Sequence, residues 1–329
     1  MRMSFTSKLV VVLAIFVGLF YMVRAFRHGH NRSANNLSFK NNHILDLELN
    51  GVILNGRKFI EALDKYANKE KVRAILIRIN SPGGAVGPSQ ELYSAIKKVR
   101  DELKKPVICH SSGLIASGAY YAAMGCSKLV VAPGAMVGSI GVIMEFANLE
   151  KLYEWAKVKR YTITSGKFKD SGSEYRAMTS EERALFKDMI DDVYEQFRST
   201  VQTERGMKKE VIRTYADGRV FTGSKAVKLG FADFEGTISD SIKLASEQAG
   251  LGDDFELFEI PKERRSFFEM LSGGSEDVDD LNGHASGIAQ KLGLTNLMSE
   301  NSLRALLKLD TLNQPMLLMP GYWGKTDNR

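Results

Sequence analysis

The sequence predicts an α/β protein with a largely parallel sheet. Short, mostly apolar runs that are typical of buried strands, Ala74–Ile79 and Val107–Ser111, are separated by an amphipathic helical pattern. A longer helical pattern begins at Thr179, with Glu182 three residues later, which is the spacing of a capping box. Alternating strands and helices of these lengths are typical of folds in which helices cover a parallel sheet.

Composition predicts a globular chain, and no motif in the sequence supports dependence on a metal or a nucleotide. With 329 residues, 44% of them hydrophobic, the chain can bury a sizeable core. Its 45 basic and 39 acidic residues are interleaved, which predicts a solvated mixed surface rather than a nucleic-acid interface. The two cysteines, Cys109 and Cys126, are interpreted as buried free thiols, with a single bridge as the alternative if the domain lies outside the cytoplasm.

The N-terminal segment departs from globular composition. Residues 9–23 form an uncharged apolar run between Lys8 and Arg24, and we interpret the run as a transmembrane signal anchor. The alternatives are a cleaved secretory signal, for which the following residues make a poor cleavage site, and a soluble core helix. Residues 1–8 would then be a cytoplasmic n-region and residues 24–42 a polar linker. Basic residues on both flanks leave the membrane orientation open from charge alone.

The folded domain is expected to cover residues 43–250, followed by a C-terminal extension over residues 251–329. The extension is polar and glycine-rich at first and ends in an apolar tail, Pro315–Trp323. Further predicted strands are His43–Leu49, Leu129–Ala132 and Tyr161–Ser165. The apolar faces of the two predicted helices carry Leu92, Ile96, Val99 and Leu103 in the first, and Leu185, Met189, Val193, Phe197 and Val201 in the second.

Two loop-like segments carry residue types suited to oxyanion chemistry. In Asn80–Gly84, Pro82 fixes φ and two glycines allow backbone N–H groups to point outward, as in an anion-binding turn. In Gly113–Ala123, Ser117 lies among small residues between a strand and a short helix, and the N–H of Gly118 is a candidate oxyanion donor. A plain strand–helix turn and an ordinary helix cap are the respective structural alternatives.

The third segment, Ser165–Asp170, contains the candidate bases Lys167 and Lys169. Loop lysines are usually solvated, whereas a catalytic lysine needs desolvation to bring its pKa from about 10.4 toward neutrality. Residue chemistry does not choose between the two lysines, which we expect on one side of an extended segment. Among the histidines only His110 is close to Ser117 in the sequence, and no acidic partner in a triad context follows it.

Five motifs in order resemble those of the signal peptide peptidase A (protease IV) family, peptidase family S49. The motifs are NSPGG, ASGAYYAA, VGSIGV, SGKFKD and GRVFTGSKAVKLGFAD, and the resemblance covers roughly residues 43–245. It implies a Clp protease/crotonase-like fold of repeated β-β-α units, preceded by one N-terminal transmembrane helix. It also implies a membrane-anchored serine endopeptidase that cleaves remnant signal peptides or other unfolded segments.

The resemblance assigns roles residue by residue. Ser117 would be the nucleophile and Lys169 the general base, the lysine before Asp170 being the catalytic one in the family pattern. Ser139 would orient the lysine, and the amides of Gly84 and Gly118 would form the oxyanion hole.

Assembly and location also follow from the resemblance. Both catalytic motifs lie in one copy, as in the short, single-repeat form of the family, which forms a homo-octamer. The expected partners are peptide substrates, other copies of the chain, and membrane lipid through residues 9–23, with no nucleic acid and no cofactor. The expected location is the bacterial inner (cytoplasmic) membrane, with the catalytic domain on the extracytoplasmic side. The tail Pro315–Trp323 is hypothesised to occupy its own or a neighbour's groove.

Three rival functions remain open at this point. One is a catalytically inactive membrane scaffold of the same fold, which a serine-directed probe would leave unlabelled. Another is a crotonase-like acyl-CoA enzyme, which the combination of serine, lysine and membrane segment disfavours. The third is a soluble Clp-like protease, which would need no anchor and would use a histidine.

Overall fold

The computed structural model describes residues 42–260 and 316–318. Its centre is a six-stranded sheet in which every neighbouring pair of strands is parallel. The strand order is β10-β1-β2-β4-β6-β9. The bounds of these strands are β1 His43–Asn50, β2 Val72–Asn80, β4 Val107–Ser111, β6 Lys128–Val131, β9 Phe234–Glu235 and β10 Glu256–Glu259.

The predicted α/β class with a largely parallel sheet is therefore confirmed. The strands expected at His43–Leu49, Ala74–Ile79 and Val107–Ser111 all form, and the one expected at Leu129–Ala132 forms one residue earlier. The sheet also continues past residue 250, because β10 pairs with β1 at the sheet edge. The proposed domain boundaries remain predictions.

Two smaller sheets lie beside the ends of the central strands. One joins β5 (Leu114–Ala116), β7 (Met136–Gly138) and β8 (Val220–Thr222), and the other joins β3 (Gly83–Ala85) to β11 (Met316–Leu318). The chain thus runs β2-β3-helix and then β4-β5-helix, so each short strand follows the carboxyl end of a central strand. This repetition gathers the loops that carry the candidate chemistry at one edge of the sheet.

The helix at Glu150–Trp155 has no buried residue, whereas each of the other described helices buries at least one residue. The bounds of the described helices are α1 Arg57–Ala67, α2 Val86–Asp101, α3 Gly118–Ala123, α4 Glu150–Trp155, α5 Ser180–Arg205, α6 Lys209–Tyr215, α7 Gly223–Leu229 and α8 Ile238–Gln248. On α2 the predicted face is buried at Leu92, Ile96 and Val99, and the helix ends before Leu103. Helix α8 covers one face of the central sheet through an apolar cluster, whose buried members are Ile44, Ala74, Leu76, Ile108, Val130 and Ala245.

The long helix α5 has the predicted capping box. The side chain of Thr179 accepts the N–H of Glu182, and the carboxylate of Glu182 accepts the N–H of Thr179. Only the second half of its apolar face is buried, at Phe197 and Val201, while Leu185 and Met189 are exposed. The first half of α5 therefore has apolar side chains that the described part of the chain leaves exposed.

Residues 141–181, which we call the arm, contain no buried residue. The strand predicted at Tyr161–Ser165 does not form, and that prediction was wrong. Its alternating residues have no neighbouring strand to pair with among the described residues, and Tyr161 and Ile163 are exposed. Within the arm, an ion pair at 2.7 Å joins Arg160 to Glu174, which lies 14 residues further along the chain.

The two cysteines are joined by a disulfide between Cys109 and Cys126. This finding corrects the interpretation as free thiols in favour of the single bridge. Cys109 lies in β4 and Cys126 in the turn after α3, so the 17-residue separation encloses β5 and the whole of α3. The bridge covalently fixes the segment that carries Ser117.

The predicted signal anchor at residues 9–23 and the linker lie outside the described residues, as does the glycine-rich stretch after residue 260. Among the helices that the structure does describe, none has the length and apolar character needed to cross a bilayer.

Candidate active site

Ser117 occupies a sharp turn between a strand and a helix. It follows β5 directly and precedes the first residue of α3. Its backbone has φ 53° and ψ −120°, a conformation that a residue with a Cβ rarely adopts. Such strain persists only where the surrounding structure imposes it, and it is found at serine nucleophiles on strand–turn–helix elbows.

The backbone of Ser117 is fixed by hydrogen bonds, whereas its hydroxyl makes no hydrogen bond to a described residue. Its N–H donates to the carbonyl of Gly138 at 2.7 Å, and its carbonyl accepts the N–H of Tyr121 at 2.9 Å. The residue is fully buried, and its Oγ has no hydrogen-bond partner among the described residues. A buried hydroxyl without a partner costs about 1–3 kcal/mol. The turn thus holds an unengaged hydroxyl in a water-poor position.

Ser139 lies beside Ser117 because the strands that lead to them are paired. Ala116 of β5 is opposite Gly138 of β7 in a parallel ladder, so Ser117 and Ser139 emerge at the same edge. Ser139 also has a positive φ, 52°, and its N–H donates to the carbonyl of Arg219 at 2.8 Å. The structure therefore brings these two predicted site residues together.

Gly84 lies in β3 between two neighbouring backbone segments. On one side, Ile53 pairs with it: the N–H of Ile53 donates to the carbonyl of Gly83, and the N–H of Ala85 donates to the carbonyl of Ile53. Because consecutive residues of a strand direct their backbone groups to opposite edges, those of Gly84 face β11. Leu317 is the residue opposite Gly84 in that antiparallel pair.

The two candidate oxyanion donors, Gly118 and Gly84, lie in different structural elements. Gly118 is the first residue of α3, and the N–H of a first helical residue has no acceptor within its helix. Gly84 is linked to this region through Ser81, which forms a parallel bridge with Ile115 of β5. Gly84, Gly118, Ser117 and Ser139 therefore belong to adjoining elements.

The two candidate lysines lie on the arm, in a turn rather than in the extended segment that we expected. The N–H of Lys169 donates to the carbonyl of Gly166 at 3.2 Å, which closes the turn. Lys167 forms an exposed ion pair with Glu181 at 2.7 Å. Lys169 is exposed, and no described residue accepts a hydrogen bond from its Nζ. The structure does not join either lysine to Ser117 within the described part of one chain.

The turn that carries Lys169 is tied to the start of α5 by charge. Arg176 forms ion pairs with Asp170 at 3.0 Å and with Glu182 at 2.5 Å. The hydrogen bonds from Arg176, followed by that from the N–H of Thr179, lower the pKa of Glu182 to about 2. Arg176 likewise lowers the pKa of Asp170. At neutral pH the residue after Lys169 is therefore anchored as a carboxylate.

His110 does not take part in this site. It is buried in β4, and its Nδ1 is 2.9 Å from the Oγ of Ser241 in α8. Burial lowers its pKa. Among the described residues, no three histidine, cysteine or acidic side chains form a group that could hold a metal ion.

Sequence reasoning missed the two residues that frame β3. Ile53 pairs with Gly84, and Ser81 contacts both β3 and β5. The signal for Ile53 was the short apolar run Val52–Leu54 directly after a turn at Asn50–Gly51. For Ser81 the only signal was its position in the turn sequence, where a small polar residue is common.

Comparison with known proteins gives consistent matches. The family model described as peptidase family S49 matches residues 100–252. A putative protease of Synechocystis is 36% identical over 84% of this chain and 95% of its own length. The chloroplastic serine protease SPPA of Arabidopsis thaliana is 32% identical over 74% of this chain but only 36% of its own length. A putative signal peptide peptidase SppA of Enterococcus faecium is 29% identical over 65% of each chain.

Proposed function

Since this chain belongs to peptidase family S49, we propose that it is a membrane-anchored serine endopeptidase with a Ser117–Lys169 dyad. Its substrates would be remnant signal peptides or other unfolded segments near the membrane. One relative is named as a signal peptide peptidase, which supports that substrate class.

The pairing of β11 with β3 is the observation that carries the proposal. Residues 316–318 of the chain's own tail lie antiparallel to Gly83–Ala85. An extended peptide that adds a strand to an exposed edge gains main-chain hydrogen bonds independent of its sequence. The position that β11 fills beside Gly84 is therefore suited to a peptide substrate in extended conformation.

The chemistry then follows the logic of an activated nucleophile. Neutral Lys169 takes the proton of Ser117, whose Oγ attacks the carbonyl carbon of the bound peptide. The N–H groups of Gly84 and Gly118 stabilise the negative oxygen of the tetrahedral intermediate, each contributing a factor of about 10²–10³ in rate. Protonated Lys169 gives its proton to the leaving amine, and water releases the acyl group from Ser117.

The dyad is proposed to form between copies of the chain in a homo-octamer. The hydroxyl of Ser117 has no partner among the described residues, and Lys169 is exposed on the arm. The arm also exposes Trp155 and Tyr161, which are 81% and 85% accessible. Large exposed apolar side chains of this kind mark protein–protein contacts. Packing the arm against a second copy would cover them and would desolvate Lys169, as its role as a base requires.

Membrane anchoring is proposed from the apolar run at residues 9–23. The catalytic domain would lie on the extracytoplasmic side of the bacterial inner membrane. The bridge between Cys109 and Cys126 supports this side, because disulfides persist in oxidising compartments and are rare in the cytosol.

The dyad is tested by comparing two neighbouring lysines. Cleavage of casein and of a synthetic signal peptide is measured for the wild type, Ser117→Ala, Lys169→Ala and Lys167→Ala. We expect the first two variants to lose activity and Lys167→Ala to keep it, because the amine of Lys167 is already paired with Glu181. Labelling of the wild type by a fluorophosphonate probe, absent in Ser117→Ala, identifies the nucleophile. Full activity of Lys169→Ala would refute the assignment of the base.

A further inference from the structure

Ser81 is a buried polar residue between the two halves of the candidate oxyanion hole. It follows the last residue of β2 and is fully buried. Buried polar groups are costly unless they are hydrogen-bonded, so the contacts of Ser81 indicate what its side chain is retained for.

The backbone of Ser81 holds the segment that leads to Ser117. Its N–H donates to the carbonyl of Leu114 at 2.8 Å, and its carbonyl accepts the N–H of Ala116 at 3.2 Å. Ala116 is the residue directly before Ser117. These two bonds fix β5 relative to the end of β2.

The side chain of Ser81 holds the turn that leads to Gly84. Its Oγ accepts the N–H of Gly83 at 3.2 Å, and this bond is buried. Gly83 has φ +98°, so the chain turns sharply at this residue before entering β3. The direction of the Gly84 N–H is determined by the same turn.

We propose that Ser81 is a positioning residue that sets the spacing between the oxyanion donors at Gly84 and Gly118, an inference that rests on the proposed function. One residue bonds the neighbour of Gly84 through its side chain and the neighbour of Ser117 through its backbone. Oxyanion donors act only when they are held at about 2.7–3.1 Å from the developing charge. Without the Oγ acceptor, the N–H of Gly83 is left unpaired in a buried turn, and the turn relaxes.

The test uses Ser81→Ala and Ser81→Cys in the full-length protein, with Ser89→Ala as a matched control. Ser89 is also fully buried and nearby, and its Oγ makes one hydrogen bond to a backbone carbonyl, that of Ala85. Cysteine keeps the shape of serine but is a weak acceptor, so Ser81→Cys separates the hydrogen bond from packing. Circular dichroism and thermal melting establish which variants are folded.

The expected result is a fall in kcat of about 10- to 100-fold for both Ser81 variants, with KM changed less than about threefold. The rate of labelling of Ser117 by a fluorophosphonate should fall in parallel, while Ser89→Ala keeps the wild-type kcat. A folded Ser81 variant with wild-type kcat overturns the inference while leaving the proposed function intact. If the wild type neither cleaves peptides nor labels at Ser117, the proposed function itself fails.

Discussion

A Cβ atom added at Gly84 would lie 2.0 Å from the carbonyl oxygen of Ile53. No real Cβ approaches an oxygen so closely, and the obstructing atom is backbone, so it has no side-chain rotamer by which to move away. The close approach of these two segments aligns β3, and with it the backbone groups of Gly84 that face β11.

Gly84→Ala is therefore expected to lower kcat by at least about 10²-fold, because the N–H at this position moves away from the oxyanion. It should also destabilise the fold by about 1–3 kcal/mol through overpacking. The matched control is Gly87→Ala: nothing lies within 4 Å of a Cβ there, and the residue is in α2. Steady-state kinetics and urea unfolding check both variants. Equal activity of the two would contradict the role of Gly84.

Ser117→Ala should abolish peptide cleavage without destabilising the protein. It removes a buried hydroxyl that has no partner among the described residues, so the free energy of unfolding stays equal or rises by about 1 kcal/mol. Ser111→Ala is the control, because Ser111 also buries an Oγ without a described partner. Thermal melting should show the same trend for both variants, and only Ser117→Ala should lose activity. Destabilisation by Ser117→Ala would indicate that its hydroxyl has a structural partner.

The strand β11 should slow access to Ser117, and a proline scan can measure this. By the alternation of the ladder, the N–H of Leu317 points toward Gly84, whereas that of Leu318 points away. Leu317→Pro removes a bond to β3 and should raise the rate of fluorophosphonate labelling about 3- to 10-fold, the equivalent of one backbone hydrogen bond. Leu318→Pro should change the rate much less. Equal rates for the wild type and Leu317→Pro would show that the tail does not hold the edge closed.

Mixing two inactive variants tests whether the dyad forms between copies. Co-expression of Ser117→Ala with Lys169→Ala would place an intact serine beside an intact lysine at about a quarter of the sites, if copies assemble at random in a closed ring. Cleavage should then recover to roughly that fraction of the wild-type rate. When the double variant Ser117→Ala/Lys169→Ala takes the place of Ser117→Ala in the mixture, no cleavage activity should be recovered. No recovery in verified mixed oligomers would mean that both residues act within one chain.

The elements of the fold that could be predicted are those that short-range sequence patterns indicate. Apolar runs identified β2 and β4, and the spacing of Thr179 and Glu182 identified the start of α5, because these features depend on neighbours in the sequence. The strand predicted at Tyr161–Ser165 failed for the converse reason. Its residues alternate as they do in a half-buried strand, but a strand also needs a neighbouring strand to pair with. A local pattern does not show whether such a neighbour is present.

In the candidate site, too, short-range patterns could be read from the sequence but contacts between distant residues could not. The segments that carry Gly84, Ser117 and Gly118 were singled out from turn chemistry, because glycine and small residues beside a strand end have local meaning. The role of Gly84 as an oxyanion donor came from the family resemblance and stays a prediction. The bonds that organise them are distant in sequence: Ile53 to Gly83 and Ala85, and Ser81 to Leu114 and Ala116. For Lys169, the sequence specifies an amine before Asp170, but the described residues leave its side chain exposed, and the desolvation proposed for it depends on contacts distant in sequence.

His110 predicts a pH dependence of stability that is independent of catalysis. Burial lowers the pKa of His110, the charge of Asp240 opposes this with a smaller effect, and the charge of Arg78 lowers the pKa further. In the unfolded chain the imidazole binds a proton below about pH 6.5, whereas in the fold it stays neutral to lower pH. The unfolded state therefore binds more protons at this group in that interval, and the contribution of His110 to the free energy of unfolding falls as the pH drops below about 6.5.

His110→Asn removes this titration and keeps a side-chain N–H that can reach Ser241. The variant is expected to be less stable at pH 8 and to lose less stability than the wild type between pH 8 and pH 5.5. Urea unfolding at both values gives the two differences, and the other histidines cancel because both proteins contain them. An equal loss in the two proteins would mean that His110 has the same proton affinity folded and unfolded, and that its burial against α8 does not exclude the charged form.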